Sequence, residues 1–113
     1  MKLPNRKNAR IKREKITKYL LSLTHKEGKS KAKFFRGIGF NETNIESFKK
    51  ALLKVGKSNE VVKVDQLKKE FVIKYVINGS IDSPKGKPYK VKTIWVIKLN
   101  SKIPYLATAY PVV

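Results

Sequence analysis

The sequence predicts an α+β fold, with N-terminal helices packed on one face of a roughly four-stranded antiparallel sheet. Three observations predict it. Apolar residues recur with a helical period from about residue 13 to 56. From about residue 60 to 112, β-branched and aromatic residues alternate with lysine. The links between these later segments are short and carry Gly or Pro, which joins sequential strands as an antiparallel meander.

Residues 1 to 12 form a basic lead-in with Pro4, expected to be extended or loosely docked. Ile16, Tyr19, Leu20 and Leu23 then share one helical face at i, i+3, i+4 and i+7, with Lys15 and Lys18 largely off it. "THKEG" interrupts that helix. Ser30 is placed to cap a second one, whose Ala32, Phe35 and Ile38 share a face and whose end is "GIGF". Thr43 and Glu46 have capping-box spacing for a third helix, with Ile45, Phe48, Leu52 and Val55 as its buried stripe and Gly56 as its stop.

After "GKSNE" the strands begin, at "EVVKVDQL", "EFVIKYVING", "YKVKTIWVIKL" and "YLATAY". "IDSPKGKPY" reads as one hairpin connection and "NSKIP" as a second, tighter one. Phe71, Ile73, Tyr75 and Ile77 point one way, and Val91, Thr93, Trp95, Ile97 and Leu99 alternate with Lys90, Lys92, Ile94, Val96 and Lys98. Helices can cover only one face. No repeat or linker divides the chain, and its 113 residues fit one domain, residues 1–113.

Charge sets the partner. Lys and Arg number 27 against 8 Asp and Glu, a net +19 that attracts polyanions, nucleic acid first among them. With 41% hydrophobic residues the chain folds rather than serving as a disordered tail. The absence of Cys removes disulfides and thiolate chemistry, and one His makes a zinc site a poor expectation, so no metal or cofactor is assigned. No apolar run suits a signal peptide or membrane span, which makes a cytoplasmic chain without a membrane partner the default.

The residues left for chemistry are cations, hydroxyls and one imidazole. Those groups suit cleavage of RNA by its own 2′-hydroxyl, a reaction that needs a proton acceptor, a proton donor and fixed positive charge. His25 can transfer protons near neutral pH, Lys29 and Lys31 can neutralise phosphate charge, and Lys33 and Arg36 extend the basic surface. Thr108 and Tyr110, two residues apart on the last strand, share a face and can donate to a phosphate. Trp95 alternates with core residues and is read as core, with base stacking as the alternative. His25 as a loop residue, the lysines as a solvated face, and a non-catalytic basic module all stand beside this reading.

The run from "MKLPN" and "KITKYLLS" through "HKEGKSKAKFF", "GIGF" and "VKTIWVI" to "YLATAYP" resembles a bacterial family, domain of unknown function 6883, nearly end to end. That family's layout is similar to the barnase, EndoU, colicin and RelE group of metal-independent ribonuclease toxins. The resemblance implies His25 and Lys31 opposite Thr108 and Tyr110, with Trp95 nearby, acting on RNA. Members of that group often use two histidines or a Glu and His pair. Here Lys31, Tyr110 or Glu27 would take the second role. The resemblance further implies either a toxin held by an acidic antitoxin or immunity protein, or a phage-associated domain that contacts DNA.

Overall fold

A computed structural model describes residues 1–112. The first helical element, α1, opens as an α-helical turn, Arg13–Lys15, and continues as a π-helical turn, Ile16–Leu20. Helices α2, Lys29–Gly37, and α3, Ile45–Ser58, follow. Strands β1, Val61–Leu67, β2, Val72–Asp82, β3, Pro88–Lys98, and β4, Tyr105–Pro111, form one antiparallel sheet in the order β1-β2-β3-β4. The α+β class and the meander read from the sequence are therefore those of the chain.

The alternation in β2 and β3 decides where the core sits. Ile77, Val91, Thr93 and Trp95 are fully buried, and register pairs Tyr75 with Trp95 and Ile77 with Thr93 on one face. Helix α3 covers that face with Ile45, Phe48, Leu52 and Val55, the stripe its spacing predicts. Phe71 departs from the pattern. It adopts φ 55 just before β2 and is 68% exposed, because a tight turn at Lys68–Glu70 intervenes between β1 and β2.

Several helix ends differ from expectation for identifiable reasons. In the π-helical turn the Leu21 amide donates to the Ile16 carbonyl, 2.8 Å, so the extra residue per turn brings Leu21 into the core and leaves Leu23 48% exposed. Thr43 does not form a capping box, since its hydroxyl donates to Asn41 Oδ1 at 2.6 Å and α3 starts only at Ile45. Gly56 does not stop α3, which runs on to Ser58. A Cβ at Gly56 would lie 2.5 Å from Trp95 Cζ2, so the glycine is there to admit the indole. "GIGF" does end α2, through Gly39 at φ 109: the Gly39 amide donates to Arg36 and the Phe40 amide to Phe35.

The basic lead-in is built into the fold. Leu3, Ala9 and Ile11 are buried, and Arg10 bridges β4 in parallel, donating its amide to Pro104 at 2.9 Å and accepting from Leu106 at 3.1 Å. The outer edge of β4 is thus partly closed by the chain's own N-terminal segment.

Arg36 is committed to structure. Its Nε donates to the Leu21 carbonyl at 2.9 Å, and its guanidinium grips both oxygens of Glu42, at 3.0 Å for Nη1 to Oε1. The fork is thereby engaged within the protein, and Arg36 is not among the residues that line the cleft at Tyr19. The hydrogen bonds from Arg36 hold the Glu42 carboxyl down at about 2. The folded value lies below the unfolded one, so this contribution to stability is complete above the ordinary carboxylate range and is lost as pH falls towards about 2. Urea midpoints of wild type and Glu42→Gln are expected to differ at neutral pH and to converge in that acid window.

Candidate active site

The π-helical turn of α1 and the start of α2 meet the last strand at one place, and Tyr19 is its centre. The Tyr19 hydroxyl lies 3.1 Å from Thr108 Oγ1, across 89 residues of sequence, and accepts a hydrogen bond from the Lys31 ammonium. Lys15 and Lys31 also lie 5.1 and 4.8 Å from the Tyr19 ring centroid, within cation–π range. The His25 ring stands edge-on to Tyr19 with centroids 4.9 Å apart. Partial burial pushes the Tyr19 phenol up, but hydrogen bonds with Lys31 and Thr108 and the charges of Lys31 and Lys15 outweigh it. Its pKa is lowered from the ordinary tyrosine value.

These groups border an open cleft of about 600 Å³ lined by Tyr19, His25 and Thr108 with Lys12, Lys15 and Lys18. Glu14 and Glu27 also reach its wall. Among the described residues, no three His, Asp or Glu side chains gather in a way that could hold a metal ion.

His25 has a second task. Its Nδ1 accepts the amides of both Glu27 and Gly28 at 3.0 Å, so the imidazole caps the approach to α2, a task the sequence suggested for Ser30. Ser30 instead lies inside the helix. A ring whose Nδ1 accepts two amides is the Nε2–H tautomer, with a donor facing outward and its lone pair spent. Gly28 makes this packing possible, because a Cβ there would stand 2.5 Å from the Tyr19 carbonyl oxygen. Gly28→Ala is expected to cost about 1–3 kcal/mol in urea unfolding, as overpacking does, and to return the tyrosine titration towards its ordinary range.

The other expected residues divide. Lys31 reaches the site and also stands 5.9 Å from the Tyr110 ring centroid, with Lys92 at the same distance. Lys29 and Lys33 are exposed on α2, at i and i+4 of one another and off the cleft wall. Trp95 is 0% exposed and its Nε1 donates to Thr93 Oγ1 at 2.8 Å, so no ring face is open to a base. Burial thus settles the choice between core and stacking in favour of core.

Sequence reasoning placed Tyr19 in the apolar stripe of α1 and missed its chemistry. The available signal was that a half-buried tyrosine needs a partner for its hydroxyl. Lys15, one turn earlier, sits on the same helix surface.

The family model for the domain of unknown function (DUF6883) matches residues 2–113. The chain belongs to this family. No curated protein and no solved structure matches this DUF6883 chain.

Proposed function

We propose that this DUF6883 domain is a metal-independent ribonuclease that cleaves RNA by attack of the 2′-hydroxyl on the adjacent phosphorus. The observation that carries the reading is the Tyr19 hydroxyl held between the Lys31 ammonium and the Thr108 hydroxyl on the wall of a basic cleft. It supplies the proton acceptor that the single histidine, its Nδ1 held by backbone amides, leaves wanting. Tyr19 as phenolate accepts the proton of the 2′-hydroxyl through Thr108, whose own proton passes to Tyr19. The 2′-oxygen then bonds to phosphorus, and the bond to the 5′-oxygen breaks with a proton donated by an ammonium of the cleft. Lys15, Lys18 and the Nε2–H of His25 provide positive charge and a donor for the non-bridging oxygens.

The products are a 2′,3′-cyclic phosphate and a free 5′-hydroxyl. An RNA-cleaving chain of net charge +19 fits a toxin effector, and a small acidic protein covering the cleft would restrain it. Incubation of total RNA with purified protein in EDTA tests the chemistry: cyclic-phosphate ends from wild type and intact RNA from Tyr19→Phe are expected. Intact RNA in both lanes overturns it. His25→Ala is the poorer comparison, since it also removes the cap on α2.

One observation favours a second reading, a basic module that binds nucleic acid without turnover: the Nδ1 lone pair of His25 is consumed by backbone amides. Steeply salt-dependent binding with no cyclic-phosphate ends is the outcome that selects it.

A further inference from the structure

Tyr105 stands at the other end of β4 from Tyr110, and simple alternation would turn it away from Thr108, three residues on. A β-bulge prevents this. Tyr105 pairs with Val96, Thr108 with Ile94 and Tyr110 with Lys92, the register shifting between Ile94 and Trp95 so that Ala107 is the extra residue. Residues 92, 94 and 96 share a face of β3, so Tyr105, Thr108 and Tyr110 share a face of β4. Bulges commonly re-aim side chains in this way beside functional sites. This is the face opposite Trp95 and α3, and β3 presents Lys92 and Lys98 on it.

Three depressions lie along β4. The cleft at Tyr19 shares Lys12, Lys15 and Ala107 with a second cleft of about 440 Å³ that contains Tyr105 and Lys98. Beyond Thr108 a third depression, about 350 Å³, is lined by Lys31 and Tyr110. Each terminal ring is accompanied by cations: Lys12 lies 5.3 Å from the Tyr105 centroid, and Lys31 and Lys92 lie 5.9 Å from that of Tyr110.

We infer that this face of β4 is a track for single-stranded RNA, with Tyr105 stacking a base on one side of the Tyr19–Thr108 pair and Tyr110 stacking one on the other. The inference rests on the nucleic-acid substrate proposed above. Aromatic rings interleaved with lysines along a groove suit a polymer that alternates flat bases with phosphates. Because the bulge absorbs one residue, the two rings span only the four β3 residues from Lys92 to Val96, about 13 Å at the usual strand rise, which separates two stacking positions across a central phosphate. Bases paired in a duplex are stacked on one another and do not offer their faces to tyrosines. A single strand does.

Fluorescence anisotropy with a short labelled oligouridylate, alone and annealed to oligoadenylate, tests the track on the Tyr19→Phe background, where the strand is not cut. The single strand is expected to bind more tightly than the duplex. Tyr105→Ala and Tyr110→Ala should each weaken it by about fivefold or more, while Tyr105→Phe keeps the ring and the affinity. The salt slope should shrink by about 0.7 in Lys92→Ala, the value for one phosphate of a single strand. Equal binding of duplex and single strand, or unchanged affinity in both alanine variants, overturns the track. Cleavage by wild type together with either of those results removes the track and leaves the ribonuclease standing. Ring-dependent binding with no cleavage by wild type does the reverse.

Discussion

Tyr19→Phe is expected to lower the rate of RNA cleavage by about 10²–10⁴-fold, the range over which a positioned proton-transfer group acts. The substitution removes one oxygen and keeps the ring that contacts His25, Lys15 and Lys31. The hydroxyl makes two hydrogen bonds, with Thr108 and from the Lys31 ammonium, so its loss should cost about 1–3 kcal/mol, and a urea curve run beside the assay shows that the variant is folded. A fall in rate without a matching fall in urea midpoint therefore reports chemistry. If the phenolate is the base, cleavage rises with pH until the Tyr19 hydroxyl is fully ionised, and the lowered pKa brings that limb below the ordinary tyrosine range.

Lys31 supplies the separate readout. Against the upward push of burial, its hydrogen bond is the foremost effect that lowers the Tyr19 phenol and its charge adds to it, so Lys31→Met should move the rising limb to higher pH. A residue that only held α2 against β4 would scale the profile down and leave its midpoint where it was. Cleavage by Tyr19→Phe at the wild-type rate, or an unmoved limb in Lys31→Met, would remove Tyr19 from the mechanism.

The contrast between Tyr19 and the β-strands explains what the sequence could reveal. Strand alternation is a local property, and Thr93, Trp95 and Ile97 declare the buried face of β3 without reference to any other element. The stripe of α3 is equally local. The Tyr19–Thr108 contact joins residues 89 apart, and nothing in either neighbourhood encodes the other. The π-helical turn adds one residue to the turn that carries Tyr19, and the bulge at Ala107 adds one to β4. Each breaks the period from which facing is read, and both lie at the candidate site. His25 and Lys31 were legible because imidazole and ammonium groups are rare or charged by type. The capping role of His25 was not, since a histidine accepting two amides is unsigned in sequence. The pairing of Arg36 was not legible either, because the sign of a charge does not reveal that Glu42 already answers it.

Trp95 carries the largest expected effect on stability. It is fully buried, its indole fills the space left by Gly56, and its Nε1 donates to Thr93, which in turn donates to the Ile77 carbonyl at 2.9 Å. Trp95→Ala should lower the free energy of unfolding by about 3–5 kcal/mol, measured by urea denaturation with circular dichroism. Gly56→Ala should cost about 1–3 kcal/mol in the wild-type background, because the new methyl meets Cζ2 and Cε2 of the indole. Those atoms belong to the six-membered half of the indole, against which Gly56 packs. In Trp95→Phe the smaller ring leaves room, so the cost of Gly56→Ala should fall, giving a coupling between the two sites that a double-mutant cycle detects. The same variant separates core from contact surface. Kept at a temperature where it is folded and combined with Tyr19→Phe, Trp95→Phe should bind oligouridylate as Tyr19→Phe alone does, since the indole presents no face to solvent. A loss of affinity there, with the fold intact, would mean that the indole reaches the nucleic acid and that the burial argued for it is wrong.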